Sequence, residues 1–202
     1  MSPTEDDGVA VLVSSQHPSE VQKLVASTLG IALNRVTVSV RRMGGAFGGK
    51  ETQAAPLACI AALFARRTGR AIKYRMPRQQ DMMQTGKRHD FENEYRLGFD
   101  DQGVIQAAEL TLAARCGYSA DLSDSIVDRA MFHADNAYCL QNAQITGYRC
   151  RTNTVSNTAF RGFGGPQGML TIEAAMDHMA STLDIDPVDV RLRNLYRPGN
   201  DE

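Results

Sequence analysis

Two glycine-rich segments, Met43-Gly44-Gly45-Ala46-Phe47-Gly48-Gly49-Lys50-Glu51 and Arg161-Gly162-Phe163-Gly164-Gly165-Pro166-Gln167-Gly168, each lie between an extended pattern and a helical one. A chain built this way turns sharply from strand to helix twice, which restricts it to folds that mix the two. Glycine adopts backbone angles that other residues avoid and lets main-chain N–H groups approach a ligand closely, and the positive end of a following helix favours anions. Each loop also holds an aromatic, Phe47 or Phe163. A large ring is costly there unless it packs on the core or on a flat ligand face. One such loop is explained by a tight connection. Two, each with an embedded Phe, favour a site to which both contribute.

The rest of the pattern agrees with a mixed fold. Val9 to Ser14 reads as a strand. Pro18 opens a helix in which Val21, Leu24, Val25 and Leu29 recur at helical spacing before Gly30. Val36 to Arg42 alternates as a half-buried strand does. Glu51 to Arg67 is apolar nearly all round, which predicts a helix buried on most sides, and Ala71 to Arg75 reads as another strand. Phe91 to Phe99 and Val104 to Ala114 flank Asp100-Asp101-Gln102-Gly103, a hairpin signal. Ser123 to Met131 predicts a short helix and Gln144 to Thr154 a strand. From Pro166, Met169, Ile172, Met176 and Met179 form an apolar stripe, which points to core packing rather than a soft-metal site. Asp186 and Pro187 open a last helix expected to bury Val188, Leu192 and Leu195. The expected class is α+β, with mixed sheets and packed helices.

Composition narrows the function. With 22 Lys plus Arg against 23 Asp plus Glu, the net charge is −1 and no basic excess marks a nucleic-acid binder. The longest apolar run, Ala54 to Ala65, is broken by Pro56 and falls short of the roughly 18 to 20 residues a membrane span needs. Residues 1–8 form a polar, acidic leader without the basic start of a secretory signal. Cys59, Cys116, Cys139 and Cys150 make no Cys-x-x-Cys pair for zinc or iron–sulfur. The expected setting is cytoplasmic, with reduced thiols, no membrane and no nucleic acid.

Neither loop matches a nucleotide fingerprint. Residues 44–50 read Gly-x4-Gly-Lys, but the magnesium-binding Ser or Thr that should follow is Glu51, a carboxylate that would repel phosphates. The second loop spaces its glycines as Gly-x-Gly-x-x-x-Gly, with Pro166 inside the turn and no acidic residue about 20 positions on at a strand end.

Arg42 to Glu51 and Asn157-Thr158-Ala159-Phe160-Arg161-Gly162-Phe163-Gly164-Gly165-Pro166-Gln167 closely resemble two signature segments of the molybdenum hydroxylases, specifically the molybdopterin-binding portion of the xanthine dehydrogenase family. Asp121 to His133, Thr85-Gly86-Lys87-Arg88-His89 and Pro187 to Leu195 are similar to the same family. The resemblance extends from Val9 onward and makes residues 9–202 a partial molybdopterin-binding domain after the leader at 1–8. Ala46 departs from the glycine expected in the first motif.

The resemblance implies hydroxylation of a purine, hypoxanthine or xanthine, with oxygen drawn from water. Electrons would leave through a molybdenum–molybdopterin to iron–sulfur clusters and FAD on other domains or subunits. It assigns Glu51 to hydrogen-bonding the purine, where an ordinary first-turn acid favouring a helix dipole is the plain alternative. Arg129 would meet the purine carbonyl and stabilise charge gathering there, against a surface ion pair with Asp128 or Asp124. Phe163 would stack on the purine, against core packing. The main chain at Phe47 and Arg161 would lie near molybdenum, with Gly45, Ala46, Gly48 and Gly162 allowing the approach; the Arg161 side chain could instead brace the loop. Glu51 together with Arg129 favours a purine enzyme over the related aldehyde oxidases.

The family's upstream glycine–glutamine segment, its later pterin-contacting loops and its Gly-Glu-Pro motif with the general base are not found in these residues. The chain is therefore expected to be inactive alone and to work with the remainder of a molybdenum subunit and an iron–sulfur/FAD chain. The alternatives are an inactive remnant kept for stability or subunit contact, and a phosphate-binding module using the first loop.

Overall fold

The computed structural model describes residues 1–197. They fold as α+β in two compact units, one from Met1–Arg88 and Val155–Arg161, the other from His89–Thr154 and the residues from Gly162 on.

In the first unit, β1 (Ser2–Pro3), β2 (Val9–Leu12) and β3 (Val36–Ser39) form a sheet in that order, with β1 antiparallel and β3 parallel to β2. The parallel pair needs a crossover, and α1 (Pro18–Leu29) supplies it, with Pro18 in its first turn and Gly30 ending it at φ 63°. Alternation along β2 turns Val9 and Val11 inward. They join Val21 and Val25 of α1, Val36 of β3, and Ala55, Ala58 and Ala62 of α2 (Ala55–Thr68) in one core.

Three expectations fail here. Helix α2 starts at Ala55, because irregular turns occupy the preceding residues: Gly49 N–H bonds to Ala46 O at 2.8 Å, Glu51 N–H to Gly48 O at 3.2 Å and Ala55 N–H to Thr52 O at 3.1 Å. The helix is not buried on most sides either. Its alanines permit a close approach and take the inner face, leaving Ile60, Leu63 and Phe64 exposed. Ala71 to Arg75 is no strand, since Ile72 exchanges one pair of main-chain bonds with Met1 (2.9 and 3.2 Å), a single rung rather than a ladder. A short helix, α3 (Arg78–Gln84), follows it.

In the second unit, β4 (Phe91–Phe99) and β5 (Ile105–Gly117) are antiparallel, and β6 (Ala143–Arg151) lies parallel to β5. The hairpin turn is set by Asp100, whose carboxylate accepts from Gln102 N–H and Val104 N–H, both at 3.0 Å. The β5-to-β6 crossover contains α4 (Ser123–Phe132), followed after β6 by α5 (Gly165–Leu183) and α6 (Pro187–Asn194). Ile172, Met176 and Met179 are buried with Ile105, Tyr138 and Val190, so the methionine stripe is core.

Helix α6 is capped as expected: the Asp186 carboxylate accepts from Val188 N–H at 2.7 Å. Its buried face is rotated from the expected one, with Val188 and Leu192 exposed and Val190 and Asn194 inside. Asn194 explains the rotation. Its Oδ1 accepts from Ile105 N–H at 2.8 Å and its amide donates to Gly103 O at 2.7 Å, a polar anchor that turns the Asn194 face of the helix inward.

Helices α4 and α5 meet at glycines. A Cβ on Gly164 would collide with the carbonyl oxygen of Ile126, and one on Gly168 with that of Ala130. The glycine spacing in the second loop thus serves helix packing. Among the described residues no helix is long and apolar enough to cross a membrane, and all four cysteines are free thiols.

Candidate functional site

The first unit holds Gly45, Ala46, Phe47, Gly48, Glu51 and Arg161; the second holds Gly162, Phe163 and Arg129.

The first loop is pinned at both ends and strained between them. The Lys50 ammonium donates to the carbonyl of Met43 at 2.6 Å and to Ser14 Oγ at 2.9 Å, closing the loop across its mouth. The carbonyl of Lys50 accepts from Ser15 Oγ and Gln16 N–H, each at 3.0 Å, and Gly48 N–H donates to Gln16 Oε1 at 3.1 Å. Inside this frame Gly44, Gly45, Phe47 and Gly48 all have positive φ, Phe47 at 51°. A bulky residue in that region is strained, and such strain is found where function requires it. The Phe47 ring is 61% exposed and leans over Gly45, where a Cβ would stand 3.0 Å from it.

Glu51 lies in the turns before α2, half-buried. It is four residues short of the helix start, so a role as a first-turn acid is not available to it. Its carboxylate accepts no hydrogen bond and joins no ion pair among the described residues.

The two glycine motifs meet in this unit through the first half of the second one. Gly48 lies against the main chain of Ala159. Beside it, Thr52 Oγ1 and Thr158 Oγ1 share a hydrogen bond at 3.3 Å. The Arg161 carbonyl accepts from Arg88 Nη2 at 2.8 Å, and the Arg88 guanidinium lies 4.5 Å from the centroid of the Phe160 ring. The Arg161 side chain is exposed and makes no hydrogen bond to the loop. Sequence reasoning gave no role to Gln16, Thr52, Arg88 or Thr158; for Arg88 a signal existed in the family-like segment Thr85 to His89.

In the second unit Phe163 repeats the conformation of Phe47, at φ 49° between Gly162 (97°) and Gly164 (95°). Gly164 abuts α4 at Ile126 and Ala130, so the Phe163 loop and the helix bearing Arg129 are in direct contact. Arg129 is exposed. The acids offered as its surface partners are taken by another residue: Arg149, on β6, pairs with Asp124 at 3.5 Å and with Asp128. Among the described residues Arg129 forms no ion pair, and its guanidinium is left for something else.

A family model described as the molybdopterin cofactor-binding domain matches residues 1–195. The chain belongs to the molybdopterin cofactor-binding domain family. It is 44% identical to the xanthine dehydrogenase/oxidase of Gallus gallus over 97% of this chain and 14% of that protein. It is 42% identical to the xanthine dehydrogenase of Dictyostelium discoideum over 96% of this chain and 14% of that protein. The chain therefore spans a small part of the relatives it matches. Among solved structures, the aldehyde oxidoreductase from Desulfovibrio gigas superposes with a TM-score of 0.86 at 30% identity, over 98% of this chain and 22% of that one.

The residues of the first loop fit a molybdopterin. Such a cofactor is a polar, phosphate-bearing heterocycle, and the main-chain N–H groups of Gly45, Ala46 and Phe47 have no hydrogen-bond acceptor among the described residues. A substituent at Gly44 would meet nothing within 4 Å, so the main chain there is open to a ligand. Among the described residues no group of three His, Cys, Asp or Glu side chains could ligate a metal directly.

Proposed function

We propose that this molybdopterin cofactor-binding chain is part of a xanthine dehydrogenase-like molybdenum hydroxylase of purine catabolism, acting in the cytoplasm on hypoxanthine or xanthine with oxygen drawn from water. Residues 9–202 would be part of its cofactor-binding domain. The cofactor, when bound, supplies a two-electron acceptor. The observation that carries the reading is the capture of Asp124 and Asp128 by Arg149, which leaves Arg129 as an unneutralised guanidinium.

Each residue then has a task. Arg129 donates to the purine carbonyl and stabilises negative charge that builds there as the ring is attacked, as a permanently charged fork does well. Glu51, half-buried with no competing donor, accepts a hydrogen bond from a purine N–H and fixes the orientation of the ring. Phe163 offers a flat apolar face for stacking. The main chain at Phe47 and Arg161 would face the molybdenum of a bound cofactor, with Gly45, Ala46, Gly48 and Gly162 permitting the approach. Iron–sulfur clusters and FAD outside these residues, on the remainder of the molybdenum subunit and an iron–sulfur/FAD chain, would take up the electrons. The isolated chain would accordingly not turn purine over.

The test is made in the complete molybdenum enzyme. Arg129→Ala and Glu51→Ala should each lower kcat/KM for xanthine by about 10²-fold or more, the scale of losing one transition-state donor, with molybdenum content unchanged. Unchanged kcat/KM in both variants would leave the chain as an inactive structural piece.

A further inference from the structure

The segment Thr85 to Arg88 is family-like in sequence, yet the function proposed above gives it no task. In the first unit it runs alongside Ser156 to Arg161. A Cβ on Gly86 would stand 2.5 Å from the carbonyl oxygen of Ser156, so only glycine fits there. Gly86 N–H is held by Gln53 Oε1 at 2.7 Å, and Thr158 N–H donates to the carbonyl of Lys87 at 2.9 Å. This places Arg88 beside Phe160 and Arg161 of the second motif.

Arg88 spends its fork on a main-chain carbonyl. Nη2 donates to Arg161 O at 2.8 Å while Cζ of the guanidinium lies over the Phe160 ring, 4.5 Å from its centroid. No carboxylate pairs with it among the described residues. The peptide that begins at this carbonyl leads into Gly162, whose φ is 97° and which has no side chain to limit rotation. An external donor at Arg161 O therefore decides how that peptide is turned.

We propose that Arg88 is the positioning residue for the Arg161 main chain: held over the Phe160 ring and bonded to the Arg161 carbonyl, it fixes the peptide presented to the molybdenum cofactor. This rests on the assignment of that main chain to the cofactor. Lysine is a poor substitute, because a point charge has no plane to lay on a ring and no fork to define a direction. Outer partners that orient groups around a metal centre carry a large share of its retention.

The experiment uses the complete molybdenum enzyme with Arg88→Lys, Arg88→Met, Gly162→Ala and, as a neighbouring control, Lys87→Met. The Lys87 side chain reaches only Thr85 and the carbonyl of Asp81. Molybdenum per polypeptide after dialysis, the g values of the molybdenum(V) electron paramagnetic resonance signal and the melting temperature are measured together. Both Arg88 variants should bind the cofactor about 10-fold less tightly and shift the g values, with a melting temperature like that of Lys87→Met. Arg88 variants that keep molybdenum and g values while Gly162→Ala loses them would overturn the role of Arg88 alone. If Gly162→Ala also matches the parent enzyme, the cofactor assignment of the Arg161 main chain fails. Equal losses in Lys87→Met would show general destabilisation and overturn the proposal.

Discussion

Gly48 lies against Ala159, so close that a Cβ on Gly48 would stand 3.0 Å from the Ala159 carbonyl carbon. Two motifs far apart in sequence are thus in main-chain contact, and the position carries two constraints, proximity and a φ of 94°. Gly44 carries only the second, at φ 70° with nothing within 4 Å of the added atom. Gly48→Ala should therefore cost more than Gly44→Ala: about 1–3 kcal/mol of backbone strain applies to each, and the contact adds to Gly48 alone. Urea denaturation of the two variants checks this, and equal losses would mean that the close approach does not matter.

The α4–α5 contact predicts a substitution that helix propensity alone gets wrong. Alanine is favoured over glycine inside a helix by about 0.8–1.0 kcal/mol. At Gly168 the added Cβ would run into the carbonyl oxygen of Ala130, and the two helices must part to admit it. Gly168→Ala should be destabilising by about 1–3 kcal/mol, the scale of overpacking. A rise in melting temperature would show that the helices have room to spare.

Much of this was legible locally. The β4–β5 hairpin, the α5 stripe and the helix-opening prolines Pro18, Pro166 and Pro187 follow from periodicity and turn chemistry that a few neighbouring residues determine. The failures lie where distant residues decide. The rotation of α6 depends on Asn194 reaching Ile105 and Gly103, and the false strand at Ala71 to Arg75 found only Met1 to pair with. In the site, two aromatics in glycine loops were visible as an anomaly, and their positive φ values give it a physical form. What the acids near Arg129 do was not visible, because Arg149 comes from another element.

At the start of α6 the cap is a single bond, from Val188 N–H to the Asp186 carboxylate at 2.7 Å. Asp186→Ala should cost about 1 kcal/mol, and Asp186→Asn or Asp186→Ser should recover most of it, since each offers an acceptor at the same place. Thermal melts of the three variants decide the point. If Asn and Ser melt with Ala, the charge at the helix terminus rather than the cap is what counts.

The Glu173 carboxylate accepts from Tyr138 Oη at 2.6 Å, Asn136 Nδ2 at 2.8 Å and Arg191 Nε at 2.9 Å. Burial alone would raise its pKa, but the bonds from Tyr138, Arg191 and Asn136 outweigh it and hold the carboxyl below the usual value of 4.5. Tyr138 moves the other way, pushed up to about 12 by burial and then by the hydrogen bond and charge of Glu173. Both shifts fix a sign. The folded state binds the Glu173 proton less tightly than the unfolded chain, so that stability is present above pH 4.5 and is lost as pH falls through the folded value. The folded state binds the Tyr138 proton more tightly, so its contribution is full below pH 10 and is lost between 10 and about 12. In an alkaline absorbance titration of the six tyrosines, one step should stand near 12 and vanish in Tyr138→Phe. In Glu173→Gln that step should move down toward 10, because the charge is gone while the burial remains. The same variant should lose part of the stability drop on the acid side. A Tyr138 step that stays near 12 in Glu173→Gln would mean that burial alone sets it and that the carboxylate is coupled to it only in geometry.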